Sequence, residues 1–327
     1  MPKAKVLIIK LGYSETLDPD TSGLVSLGDV FRSTVLLHLF PQDRYHITWI
    51  VDERAWPLLR GNPCIDRVIK INPFTQFQLL RANYDIVINL EKDPGVCALA
   101  DAVPAWQRFG FRFDPITGEA AGHLRAEQAF SVANNPTLKR ELGRNWSQIL
   151  YDMVGAEWRG ENYVLGYRPS GPAVNDVGLN LRVGSKFPLK TWPKDNWTKL
   201  ARRLEAAKLS VSWQPEQDNV DEIERYIDWI ASCRVLVTND SLGLHFAAAL
   251  SIPTVALFGP SLATDMPDSN HIVKIRPSWA ADCKPCFSRH CQKKKPCMPL
   301  ISVDEVFDAV RAVHERVHER AVAANAN

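Results

Sequence analysis

Three short stretches of this 327-residue chain place acids, an imidazole and a lysine where apolar runs end. In VLVTNDSLGLHFAAAL a buried-strand pattern gives way to Asn239, Asp240 and Ser241, and His245 follows one turn into a small-residue helix. A carboxylate such as Asp240 accepts hydrogen bonds from ligand hydroxyls. The backbone N–H groups of Ser241, Leu242 and Gly243 open a helix whose dipole favours an anion. A plainer alternative stands beside this one: Asp240 or Ser241 caps the helix and His245 is a satisfied buried histidine. That is the commoner outcome for an arbitrary Asp-Ser before a helix.

The second stretch is LKTWP, residues 189–193, in which Lys190 lies in a loop after a strand and Pro193 suits a first helical turn. A lysine there neutralises a phosphate, or is simply solvated. The third is SLGDVFRS, where Gly28 and Asp29 start a helix near the carboxyl end of the first strand. A carboxylate in that position serves as a general base, or as a helix cap.

The elements that must position these residues alternate between strand and helix, so the chain reads as α/β. KVLIIKL (5–11), HITWIVDE (46–53), DRVIKIN (66–72) and YDIVINLE (84–91) have strand patterns. LGDVFRSTVLLHLF (27–40) and residues 134–159 have helical ones, and WPLLRGN a short helix with a Gly stop. GYRPSGPAVND (166–176), rich in Gly, Pro and Asn, reads as a linker. Beyond it come strand VGLNLRV (177–183), helix 193–207, strand LSVSWQ, helix 219–232, and strands RVLVTND and PTVALFG. A closing helix at 302–322 opens with a Ser302–Glu305 capping box. The expectation is two Rossmann-like domains, 1–165 and 177–327, joined by 166–176. Ligands of such sheets bind outside the carboxyl ends of strands, where all three stretches fall.

Hydrophobic residues make up 46% and charged residues 23%, near the globular average, so most of the chain should fold. A net charge of +2 does not suit a nucleic-acid binder. No apolar run approaches the roughly 20 residues needed to cross a bilayer, and the N-terminus turns polar too soon for a signal peptide. A cytoplasmic location is expected.

SLGDVFRSTVLL, DERAWPLLRGNPCIDRVI, KTWPKDNW and VTNDSLGLHFAAALSIPTVALFGP, in that order, resemble the ADP-heptose:lipopolysaccharide heptosyltransferase family. The likeness runs through residues 5–72 and 177–315 and is weakest over 92–165. It implies the GT-B fold, two Rossmann-like domains facing a cleft, and inverting glycosyl transfer that needs no cofactor or metal for chemistry. The N-terminal domain would hold the acceptor and the C-terminal domain the nucleotide sugar. The likeness casts Asp29 as the general base and Lys190 as the diphosphate ligand. It counts Asn239 among the donor contacts, sets Asp240 on the sugar hydroxyls, the Ser241–Gly243 N–H groups and His245 on sugar or phosphate, and Glu216 of SWQPEQ on the nucleoside.

The chain departs from the family twice. GYSETLDPDTSGLV (12–25) is inserted between strand one and the Leu-Gly-Asp motif, on the acceptor side. Only one helix fits between SWQPEQ and TND, so the C-terminal sheet should be one helix–strand unit short. The donor is therefore expected to be ADP-heptose or a related nucleotide sugar. The acceptor is expected to be a lipopolysaccharide inner core, another glycan, a protein or a small metabolite. A lipid-anchored acceptor would bring the chain to the cytoplasmic face of the inner membrane, with AWQRFGFRFD (105–114) resting there, although an ordinary strand and turn accounts for that segment better.

Four of the seven cysteines, Cys283, Cys286, Cys291 and Cys297, lie within one loop, 283–297. Four thiolates so close suit a structural zinc or iron, with His290 able to replace one of them. Reduced thiols or a disulfide are the alternatives, and the spacings after the first pair match no standard zinc framework. A competing reading of the whole chain is a non-catalytic sugar-nucleotide or metal-binding GT-B protein. The joint presence of Asp29, Lys190, Asp240 and His245 argues against it. A third reading is a different GT-B enzyme such as a sugar-nucleotide epimerase, though those carry other His/Glu constellations.

Overall fold

The apolar run AKVLII forms the central strand of the first of two sheets in a computed structural model, which describes residues 2–13, 24–216, 222–277, 286, 288–291, 293 and 296–325. The chain divides into two units, Met1–Tyr167 and Arg168–Asn327.

In unit 1 the elements are β1 (Ala4–Ile9), α1 (Leu27–Arg32), β2 (Tyr45–Val51), β3 (Arg67–Lys70), α2 (Thr75–Leu79), β4 (Tyr84–Asn89), α3 (Pro94–Ala102), β5 (Ala105–Phe113), β6 (Ala120–Gly122), α4 (Glu127–Asn134), α5 (Pro136–Leu142) and α6 (Trp146–Met153). The sheet order is β3-β2-β1-β4-β5-β6, parallel except for the short β6. This is the usual dinucleotide-fold order, with its switch point between β1 and β4. Val6 to Ile9 are fully buried, as a strand covered on both faces must be. The helical pattern of 27–40 proves to be α1 continued by a 3-10 segment, Ser33–Leu39. Residues 134–159 hold short helices rather than one. Asn135 caps α5, and Asn145 opens α6 with a reciprocal capping box to Gln148. AWQRFGFRFD is β5 and the turn after it, and Arg108 and Arg112 donate to backbone carbonyls of their own sheet region.

The inserted segment is closed at its base, where the Ser26 N–H donates to the Gly12 carbonyl at 2.6 Å. Gly12 has φ +96, and a Cβ there would lie 2.9 Å from both Val25 and Val30, so only glycine turns the chain this tightly. α1 therefore starts where a short connection would also deliver it. Residues 14–23 of the insertion lie outside the described residues.

Unit 2 holds β7 (Asn175–Asn180), α7 (Lys194–Ala206), β8 (Val211–Trp213), α8 (Ile223–Ala231), β9 (Cys233–Asn239), α9 (Leu242–Ala249), β10 (Thr254–Leu257), β11 (Ile272–Ile275) and α10 (Val303–Asn325). Its five described strands are all parallel, in the order β11-β10-β9-β7-β8. The chain leaves β8, returns through the single helix α8, and crosses to β9 on the far side of β7. The expected shortening is thus seen among the described residues: β8 is an edge strand, where unit 1 continues past β2 to β3.

One face of this sheet, through Val177, Leu179, Val235, Val237, Val255 and Leu257, packs against α7 and α10. Trp192 and Trp197 are buried there edge to face at 5.1 Å, and the Trp192 indole N–H donates to the Ile301 carbonyl at 3.0 Å. The opposite face meets α8 and α9 through Asn180. Ser302 accepts the Glu305 N–H at the start of α10, as the capping motif predicts. No helix among the described residues is long and apolar enough to cross a membrane.

Candidate functional site

Unit 2 gathers its chemistry at the carboxyl ends of β7, β9 and β10. The Lys190 ammonium lies 2.7 Å from Oδ2 of Asp240, and both side chains are mostly buried. Burial by itself would raise the Asp240 carboxyl. The Lys190 ammonium, His245 and the Ser261 hydroxyl outweigh it and hold the group down at about 2. Asp240 is therefore a carboxylate at neutral pH, and it is not a helix cap. Ser241 occupies the N-cap position of α9 but makes no side-chain cap bond. Its hydroxyl instead accepts from Asn180 Nδ2 at 3.2 Å. Ser241 therefore does not cap α9 through its side chain, and the Asp240 carboxylate is paired with the Lys190 ammonium just before the helix begins.

Below this pair the architecture is a closed polar network. The Tyr226 hydroxyl donates to Asn180 Oδ1 at 2.6 Å, and Asn180 Nδ2 donates to Thr238 Oγ1 at 2.7 Å. Burial pushes the Tyr226 phenol well above its ordinary range. Gly243 sits over this network, and a Cβ on it would lie 2.3 Å from both Asn180 Nδ2 and Tyr226 Oη. Its glycine identity is thus set by contact with the sheet, which pulls the first turn of α9 down onto β7.

Asn239 needs correction as a ligand contact. It is fully buried, its Oδ1 accepts the Trp192 N–H at 3.2 Å, and its Nδ2 donates to the Leu181 carbonyl at 2.8 Å. It ties the Lys190 loop to the end of β9 and acts on the site through that loop. Pro193 is likewise the residue before α7, not in its first turn. Glu216 is 88% exposed and faces Arg182 at 3.6 Å. Its loop is held to the end of β7 by Gln214, whose side chain accepts the Arg182 N–H. Ser261, 8% exposed beside Asp240, escaped the sequence reading. It directly follows the FGP that ends the motif, and that adjacency was the available signal.

Unit 1 carries Asp29 in the first turn of α1. The N-cap is Ser26, whose hydroxyl accepts the Asp29 N–H, so Asp29 is not the cap. Its Oδ1 lies 2.8 Å from Arg32, one turn on, and the Arg32 guanidinium lies 4.7 Å from the centre of the Trp146 ring of α6. At the switch point the fully buried Glu91 accepts the Leu11 and Gly12 N–H groups at 2.7 and 2.8 Å, with the Lys10 ammonium 3.4 Å away. In dinucleotide-binding domains the turn after the first strand presents such N–H groups to phosphate. Here a carboxylate of the chain itself fills that nest. Burial pushes the Glu91 carboxyl up, against the opposing pull of Lys10 and the two N–H groups.

Among the described residues no group of three or more His, Cys, Asp or Glu is placed to hold a metal ion. Cys283 lies outside them, and Cys286, Cys291 and Cys297 are free thiols. The described thiols therefore form no ligand set by themselves.

Residues 222–296 match the sequence model of glycosyltransferase family 9 (heptosyltransferase). Lipopolysaccharide heptosyltransferase 1 of Campylobacter coli is 21% identical across 88% of this chain and 96% of its own length. Lipopolysaccharide heptosyltransferase 2 of Salmonella typhimurium is 29% identical over 117 residues, and the chain spans about a third of that relative, 34%. Among solved structures, ADP-heptose LPS heptosyltransferase II of E. coli superposes with a TM-score of 0.63 at 17% identity, covering 95% of this chain and 99% of that one. The iron-containing dodecameric glycosyltransferase TibC of enterotoxigenic E. coli gives 0.60 at 12% identity, covering 96% of this chain and 77% of its own. The fold is GT-B, as in those solved structures. Over residues 222–296 the chain is similar to the heptosyltransferases of glycosyltransferase family 9, the likeness its motifs led one to expect.

Proposed function

We propose that the chain is an inverting glycosyltransferase that moves heptose, or a related sugar, from ADP-heptose to a hydroxyl of lipopolysaccharide core or another bacterial glycan. The observation that carries this reading is the Lys190–Asp240 pair, 2.7 Å apart at the start of a helix whose N-cap serine makes no cap bond. A nucleoside diphosphate sugar brings the two chemistries such a site answers. Its phosphates take the Lys190 ammonium and the first-turn N–H groups of α9, and its sugar hydroxyls donate to the Asp240 carboxylate. His245 stands one turn into the same helix and contributes to sugar or phosphate. Glu216, at the exit of β8, serves the nucleoside.

In the proposed reaction Asp29 accepts the proton of the acceptor hydroxyl. That oxygen forms a bond to the anomeric carbon on the face opposite the diphosphate. The bond between the anomeric carbon and the β-phosphate oxygen breaks, and its electron pair leaves with ADP. The ammonium and helix dipole stabilise the charge that grows on the leaving phosphate, an effect commonly worth several kcal/mol. The configuration at the anomeric carbon inverts. A lipid-anchored acceptor would draw the protein to the membrane surface, where Trp106 of β5, 88% exposed, is available for contact.

The test is ADP release from ADP-heptose with heptose-free core lipopolysaccharide as acceptor, alongside Asp29→Ala and Lys190→Ala. Loss of transfer in both, with ADP binding weakened only by Lys190→Ala, supports the reading. Full transfer by Asp29→Ala removes the base assignment. Turnover of another nucleotide sugar in place of ADP-heptose removes the donor assignment.

A further inference from the structure

An aspartate and an arginine three residues apart on an exposed helix contribute little to stability. The pair on α1 is different in kind. The Arg32 side chain is 10% exposed and that of Asp29 18%, and a guanidinium taken out of water carries a large desolvation cost. Arg32 meets that cost from two directions. Its Nη2 holds Asp29 Oδ1 at 2.8 Å, and its Cζ lies over the Trp146 ring, 4.7 Å from the ring centre. The ring is itself held in place. Trp146 is 5% exposed, Asn145 caps its helix, and the Tyr151 hydroxyl of the same helix donates to the Val35 carbonyl at 3.1 Å, in the segment that continues α1. Lys139 of α5 lies 5.8 Å from the same ring.

From this arrangement we infer that Arg32 is a positioning residue for Asp29, and that Trp146 fixes Arg32. A carboxylate at the first turn of a six-residue helix has two free torsions, and proton abstraction requires the acceptor oxygen within hydrogen-bond reach of it. The guanidinium is planar and bonds in its own plane, so contact with Oδ1 restricts the rotamer of the Asp29 side chain. Trp146 restricts the guanidinium in turn, because a cation on a buried ring has few other places to go. The inference rests on the base assignment of Asp29, and it draws α6, from the part of the chain where the family likeness is weakest, into the acceptor-side machinery.

The experiment compares wild type, Asp29→Asn, Arg32→Gln, Arg32→Lys and Trp146→Leu in the ADP-release assay. Heptose-free core lipopolysaccharide is one acceptor and water, in reactions without the core, is the other. KM for ADP-heptose and the thermal unfolding midpoint are measured for each protein. Asp29→Asn is expected to lose about 100-fold or more in kcat, the usual scale for a general base. Arg32→Gln should lose about 10- to 50-fold in kcat with the donor KM within about twofold, since misplacement of a reacting group is felt in the rate and not in donor binding. Arg32→Lys, keeping the charge without the planar fork, should recover part of that loss, and Trp146→Leu should lose about 3- to 10-fold. Arg32→Gln and Trp146→Leu both within twofold of wild type in kcat, while Asp29→Asn is inactive, would overturn the inference and leave the base assignment standing. Transfer by Asp29→Asn at the wild-type rate would remove the base assignment itself. Should Arg32→Gln not fold, a wild-type kcat in Arg32→Lys together with Trp146→Leu overturns the inference equally.

Discussion

Lys190 Nζ lies 2.7 Å from Asp240 Oδ2, joining the loop after β7 to the start of α9 across unit 2. Neither residue has a reason to be there for stability alone. Two solvated charges would cost less than a mostly buried pair, which the surroundings must then compensate.

Breaking the pair from one side should therefore destabilise more than removing both charges. Lys190→Met leaves Asp240 facing a nonpolar neighbour and is expected to lower stability by about 3 kcal/mol, whereas Lys190→Met/Asp240→Asn should recover more than half of that. Neither variant should release ADP at a measurable rate. Urea unfolding of the two proteins, read alongside the activity assay, separates the structural share of the pair from the catalytic one. Equal destabilisation in the single and double variants would show that the pair is not coupled.

The depressed Asp240 carboxyl sets a pH window. Its folded value of about 2 lies below the ordinary 3.8, so the unfolded chain binds the proton more readily. Stability from this group is complete above roughly pH 5 and is lost as pH falls from about 4 toward 2, with a total on the order of 2 kcal/mol. The difference in unfolding midpoint between wild type and Asp240→Asn should shrink across that interval. A constant difference from pH 6 to pH 2.5 would contradict the assigned shift.

Gly243→Ala places a methyl group 2.3 Å from both Asn180 and Tyr226, so a neighbour or α9 must move. Overpacking of this kind costs about 1–3 kcal/mol. The start of α9 carries the proposed phosphate contacts, so ADP affinity should fall together with the melting temperature. Tyr226→Phe added to Gly243→Ala should not restore either, since Asn180 still blocks the methyl. Isothermal titration with ADP measures this directly.

Glu91 closes the turn after β1 by accepting the Leu11 and Gly12 N–H groups. Glu91→Ala removes those acceptors and the counter-charge facing Lys10, and should cost about 3–5 kcal/mol. Glu91→Gln keeps an acceptor and should cost less than half as much. Because the same turn leads into the loop before α1, thermal melts and kcat should decline in the same order. A fully stable Glu91→Ala would show that these two hydrogen bonds do not hold the turn after β1.

Much of the fold could be read from local pattern. The β1 run AKVLII, the amphipathic α8 and the Ser302 cap announce themselves because strand burial, helix periodicity and capping are properties of a few consecutive residues. Boundaries were less legible. The segment after α1 tightens into 3-10 geometry, and 134–159 breaks at Asn135 and Asn145, where side-chain caps compete with helix continuation. In the candidate site, Asp29, Lys190, Asp240 and His245 stood out by type and position at strand ends. Asn239 misled, because an amide beside a reactive-looking acid gives no sign of whether it faces ligand or core.

The sequence by itself determined the alternation of elements, the shortened connection between β8 and β9, and the residue types able to do the chemistry, since each follows from spacing along the chain. Only the tertiary structure decided the partners. Lys190 meets Asp240 across 50 residues, Arg32 is held by Trp146 across 114, and Gly243 presses on Asn180 across 63. The choice between a cap and a carboxylate paired with an ammonium depends on what the folded sheet brings within about 3 Å, and hydrogen-bond energies fall off too steeply for chain neighbours to foretell it.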